Sequence, residues 1–209
     1  MDDIQQQVKE IKQSFRLAMD GATAQSMRQK GLDYHLNWGV TLPRLQEMAR
    51  EIASSHPPLY QLALALWKEN VRECKILATM LMPPDEMLPE VADIWMEQVP
   101  TVEVAEQAAF NLFQHLPYAA EKAFLWLSSP DDLPQICGYH VLSRLFLRRQ
   151  EFNERAINEF VDQSLCALQS ANPLLQKAAM QALIRFSEMG LVYERIARSA
   201  IRTIGLDFL

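Results

Sequence analysis

Rows of cations at helical spacing are the residues in this sequence best placed to do chemistry. Arg144 and Arg148 stand four apart, Lys177, Gln181 and Arg185 repeat at four, and Arg195, Arg198 and Arg202 repeat at three and four. Each set therefore falls on one face of a helix. Arg72 and Lys75 form a further pair, with Thr79 on the same outward face. Such rows can contact nucleic-acid phosphates, or they can be solvated faces paired with local acids such as Glu188 and Glu194. Trp38, Trp67, Trp95, Trp126 and Tyr139 could face bases, but Trp67, Trp95 and Trp126 each lie among apolar residues, which favours packing.

Other chemistries find little material. There is no Gly-flanked serine, no glycine-rich phosphate loop in a chain with six glycines, and no Cys/His pair fit for nucleophilic catalysis. Cys74, Cys137 and Cys166 sit inside helical patterns without CxxC spacing and read as buried free thiols. His35, His56, His115 and His140 are scattered, so no metal is expected, and no cofactor.

At 209 residues, with 49% hydrophobic and 22% charged residues, the chain suits one soluble domain spanning 1–209. No basic leader precedes an apolar run and no stretch is long enough to span a bilayer, so a cytoplasmic protein without a membrane partner is expected. The net charge of −6 argues mildly against nucleic acid, but residues 140–209 hold 9 Lys and Arg against 7 Asp and Glu. Basic side chains gather toward the C-terminal third.

The elements that must position these residues are helices. The pattern predicts helices over 2–18, 23–30, 42–52, 59–67, 70–82, 84–98, 101–115, 117–127, 131–148, 153–168, 173–188 and 191–204, with no sustained period of two. Gly21 is read as ending the first helix, Thr41 and Pro43 as opening the third, and Asn153 and Asn172 as caps. Asn70 is read as the cap of the 70–82 helix, with Glu73 reaching back in a capping box. Short loops make neighbours antiparallel, and a pair recurs every 30 to 40 residues, which suits HEAT-like units. The expected fold is all-α, a curved right-handed solenoid of about 12 helices.

Three segments carry a family likeness. WGVTLPRLQEMAREI at 38–52, LW followed by REC and LA at 66–78, and QKAAMQALIRF at 176–186 resemble the DNA alkylation repair family, the AlkD-like glycosylases. The resemblance implies a C-shaped HEAT-like solenoid holding duplex DNA in a concave basic groove. It also implies release of N3- and N7-alkylated purines without base flipping. In that family an Asp carboxylate stabilises the cationic sugar, tryptophans border the lesion and an arginine grips the backbone.

This sequence departs from that pattern. The family Trp is followed four residues later by Asp, whereas Trp38, Trp67, Trp95 and Trp126 are followed by Leu42, Val71, Val99 and Pro130. The corresponding segment is TVEVAEQAAFNLF, with Glu103 in the Trp slot and Gln107, which carries no charge, in the Asp slot. The arginine falls at Cys137 and the second tryptophan at Gln181; Glu103 and Glu106 are the carboxylates close enough to substitute. The reading is a protein that binds damaged or distorted duplex DNA on a concave basic face, with glycosylase activity weak or absent. The DNA contacts are expected from Arg72, Lys75, Arg144, Arg148, Lys177, Gln181, Arg185, Arg195, Arg198 and Arg202. Alternatives are a HEAT-repeat scaffold for a protein partner, and an active glycosylase using Glu103 or Glu106.

Overall fold

The computed structural model describes residues 2–55 and 57–207; His56 lies outside the described residues. Among the described residues there are twelve α-helices and no strand. In chain order they are α1 (Asp2–Leu17), α2 (Gly21–Gln29), α3 (Leu42–Ser54), α4 (Leu59–Lys68), α5 (Arg72–Leu81) and α6 (Pro89–Glu97), then α7 (Val102–Asn111), α8 (Ala119–Leu127), α9 (Asp132–Leu147), α10 (Glu154–Leu168), α11 (Pro173–Ser187) and α12 (Leu191–Arg202). No helix of the described residues is long and apolar enough to cross a membrane.

Local chemistry explains most boundaries. Pro43 sits in the first turn of α3, and Asn153 and Asn172 accept hydrogen bonds from the Ala156 and Leu174 amides at the starts of α10 and α11. Four expectations need correction. Gly21 begins α2 instead of ending α1, because the Asp20 carboxylate caps the Ala22 and Thr23 amides. Prolines break 84–98 into a single 3-10 turn at Pro84–Glu86 and α6, which has Pro89 in its first turn. The 101–115 segment ends as a 3-10 turn, Phe113–His115. Asn70 caps nothing: Val71 holds the cap position of α5, and the Glu73 carboxylate turns inward.

The chain divides into two compact units, Met1–Pro117 and Tyr118–Leu209. In the first, α5 is the central helix, touching α3, α4 and α7. Every residue from Arg72 to Thr79 is buried, so the outward polar face expected for Arg72, Lys75 and Thr79 does not exist. Trp67 and Trp95 stack beside it with ring centroids 4.1 Å apart and planes 3° from parallel. Trp67 keeps its indole N–H satisfied on Gln98 at 2.9 Å.

In the second unit α9 and α11 form the middle, with α8 against α9 and α10 and α12 against α11. Phe146, Phe160 and Phe186 meet at centroid distances of 4.8 to 5.3 Å, and Tyr193 of α12 adds an edge-on ring at 5.2 Å. Gly138 permits the close approach of α8 and α9, since a Cβ there would lie 2.8 Å from the Ala123 carbonyl oxygen.

Candidate nucleic-acid interface

The most strongly tied charge in the first unit is Arg72, at 1% exposure. Its Nε and Nη2 donate to the two oxygens of Glu103 at 2.9 and 2.6 Å, a fork-on-fork pair. Its Nη1 donates to the Val40 carbonyl at 2.9 Å and to Glu73 at 3.2 Å. Burial alone would lower the guanidinium pKa, but the hydrogen bonds and charges of Glu103, with the charge of Glu73, leave it raised.

Around this pair the loop at 31–41 is laced down. Glu73 accepts from the Trp38 and Val40 amides at 3.3 and 3.2 Å, and the Arg72 amide donates to the Leu36 carbonyl. Tyr34 donates to Glu103 at 2.5 Å; with its one hydrogen so committed, Thr101 Oγ1 must donate to the phenol oxygen across 2.7 Å. Burial and then the Glu103 charge push the Tyr34 phenol well above its ordinary pKa. Gly39 makes the loop possible: its φ of +74° is left-handed, and a Cβ would lie 2.1 Å from the Asp20 carbonyl oxygen.

The two residues expected to lead the phosphate-contacting row are therefore interior ones. Arg72 has four of its five N–H donors committed, and Lys75 lies at 8% exposure with its ammonium 4.3 Å from the Trp67 ring centroid. Burial lowers the Lys75 pKa to about 8. The roles of Tyr34, Glu73 and Thr101 in holding this loop carry no local signal in the sequence, because the partners that define them lie 33 to 69 residues away.

The segment in the family's catalytic slots is equally specific. Glu103 is the Arg72 partner, 15% exposed. Gln107 is half-buried and its carbonyl accepts from Asn111 at 3.4 Å, while Asn111 also donates to Thr79 at 2.9 Å. Glu106 is exposed. Cys137 is wholly buried, and burial pushes its thiol pKa up; Gln181 is exposed. Cys74 is also buried, its thiol pushed to about 12, while Cys166 is exposed against the expectation of a buried thiol. No three metal-ligating side chains meet among the described residues.

The second unit holds the remaining rows at or near the surface. Lys177, Gln181 and Arg185 run along the exposed face of α11, opposite Leu175, Ala178, Ala182 and Phe186, which are buried. Arg195 and Arg202 are exposed on α12 and Arg198 is part-exposed; Arg148 is exposed at the end of α9 and Arg144 is half-buried. Arg185 pairs with Glu188 at 2.7 Å, Arg198 with Glu194 at 2.7 Å, and Arg202 with Asp207 at 3.7 Å. Exposed pairs of this kind are worth at most about 1 kcal/mol, so a phosphate can displace them. The helices that carry these rows adjoin through α11. Tyr139, Trp67, Trp95 and Trp126 are interior, between 1% and 5% exposed, and only Trp38 among the singled-out aromatics is half-buried.

Antiparallel helices packed side by side, with cations on the exposed faces of α11 and α12, define a helical-repeat protein. The chain matches the family model of the DNA alkylation repair enzymes over residues 11–191, and it belongs to that family. No curated protein matches its sequence. Its fold is shared with a solved structure of a new family of proteins related to the HEAT-like repeat DNA glycosylases with affinity for branched DNA structures. The two agree with a TM-score of 0.80 at 16% identity, over 94% of this chain and 82% of the other.

Proposed function

We propose that this protein binds distorted DNA, damaged or branched duplex, through the cation rows of its C-terminal helices, with alkylpurine release weak or absent. The observation that carries the reading is the exposure of Lys177, Gln181 and Arg185 on α11 and of Arg195 and Arg202 on α12. Arg144, Arg148 and Arg198 complete the set. Family membership and the fold shared with a relative that has affinity for branched DNA support it. Weak excision is supported by the residues in the family's slots. Gln107 lacks a charge, and the Glu103 carboxylate is held by Arg72 and Tyr34. Glu106 is the exposed carboxylate of that segment, and residual release would run through it.

The test is one incubation with methylated duplex and with a branched junction, scoring retained complex and released base together. Retention that weakens steeply with salt, with little release, is the expected result. Replacing Arg195, Arg198 and Arg202 by Gln should reduce the salt slope by about 0.9 for each phosphate that is no longer neutralised. No retention at low salt would remove the proposal and turn attention to a protein partner. Vigorous release that persists in Glu106→Gln would overturn the roles given to Gln107, Glu103 and Glu106.

A further inference from the structure

A second site lies in the first unit, on the other side of the charge balance. Helix α1 sorts its side chains by face: Asp3, Gln7 and Glu10 line a cleft against Pro57 and Pro58, while Lys9, Lys12 and Arg16 line another against Trp38 and Glu69. The cationic cleft encloses about 470 Å³, within the range of small-ligand sites. Lys9 and Arg16 are exposed and stand two turns apart, about 10 Å along the helix. Lys12 is pinned at 2.6 Å on Glu69, which fixes its ammonium within the cleft.

Trp38 supplies a wall with a rigid mounting. Its amide donates to Glu73, its carbonyl accepts from the Asp20 amide at 2.9 Å, and its ring packs on Phe15 at a centroid distance of 5.7 Å. An aromatic wall beside cations matches a ligand with a flat ring and a phosphate. Within a paired helix the base faces are covered by neighbours, so the ring must belong to an unpaired nucleotide.

We propose that the cleft between α1 and Trp38 binds an unpaired nucleotide of a single-stranded segment, the base stacking on Trp38 and the phosphates meeting Lys9 and Arg16. This site belongs to the first unit, whereas the rows on α11 and α12 belong to the second. A run of Asp or Glu would satisfy the cations but offers no ring to stack.

Tryptophan fluorescence tests it in the full chain, because Trp67, Trp95 and Trp126 are at 2%, 2% and 5% exposure and quenching by a bound base reports Trp38. A short oligothymidylate should quench the emission in a salt-dependent way. Trp38→Leu should abolish the quench and, by anisotropy of a labelled oligonucleotide, weaken binding about ten-fold. Lys9→Gln with Arg16→Gln should lower the salt slope by about 1.4. Arg195→Gln with Arg198→Gln and Arg202→Gln should leave the quench unchanged, so this site and the proposed duplex surface can fail independently. Should Trp38→Leu not fold, the α1 double variant decides alone. The proposal is overturned by absent quenching, by an affinity indifferent to the α1 double variant, by equal quenching from blunt duplex, or by displacement with polyglutamate at matched charge.

Discussion

The two units treat the same sequence pattern in opposite ways. Arg72 and Lys75 in the first, and Lys177, Arg185, Arg195 and Arg202 in the second, all sit three or four residues from another polar side chain. The former are interior and the latter exposed. What separates them is packing and the supply of counter-charge. Helix α5 is covered by α3, α4 and α7, and Glu73 and Glu103 bring carboxylates to Arg72. Helices α11 and α12 keep one exposed face, where local acids pair with Arg185 and Arg198. A basic row is thus an interface signal only where its helix has a face left uncovered.

The sharpest way to break the comparison is to delete the buried partner. Arg72→Ala should lower stability by about 3–5 kcal/mol, because it leaves Glu73 and Glu103 without their counter-charge inside the unit. Urea unfolding would report it, and a loss below about 1 kcal/mol would mean that the pair is solvated. In the second unit Gly138→Ala is the counterpart, since stability there comes from close helix packing. Its Cβ at 2.8 Å from the Ala123 carbonyl should cost about 1–3 kcal/mol by the same assay.

Lys75 tests burial through pH. Its folded pKa of about 8 lies below the ordinary value of 10.5, so between these values the unfolded chain binds more protons and the folded state gains stability as pH rises. Stability relative to Lys75→Met should therefore grow by about 1 kcal/mol from pH 7 to pH 9. The two thiols with raised pKa act in the opposite sense above pH 9, and they are common to both proteins. A flat difference would place the ammonium in water. The smallest effect belongs to the second unit's surface: Arg195→Gln with Arg198→Gln and Arg202→Gln should change the unfolding free energy by less than about 0.5 kcal/mol, since exposed pairs contribute little.

Much of the helix order was legible because its signals are local. Pro43, Asn153 and Asn172 mark starts that the structure keeps. The second-unit rows were legible for the same reason, since α11 alternates a buried stripe with an exposed one. The reading of Asn70 and Glu73 as a capping box failed because Glu73 serves amides 33 and 35 residues earlier in the chain. Arg72 looked like a surface residue because its partner, Glu103, lies two helices further on. Trp38 and the α1 cations are 22 or more residues apart, and no local period joins them. Long-range pairing is what a helical pattern cannot encode.

The lacing of the 31–41 loop also sets an order of events in folding. One anchor, the Asp20 amide on the Trp38 carbonyl, comes from earlier in the chain, while the carboxylates of Glu73 and Glu103 and the guanidinium between them are supplied by helices made later. On a ribosome the loop emerges long before these later groups. Its full set of hydrogen bonds therefore forms only once α5 and α7 have docked on it.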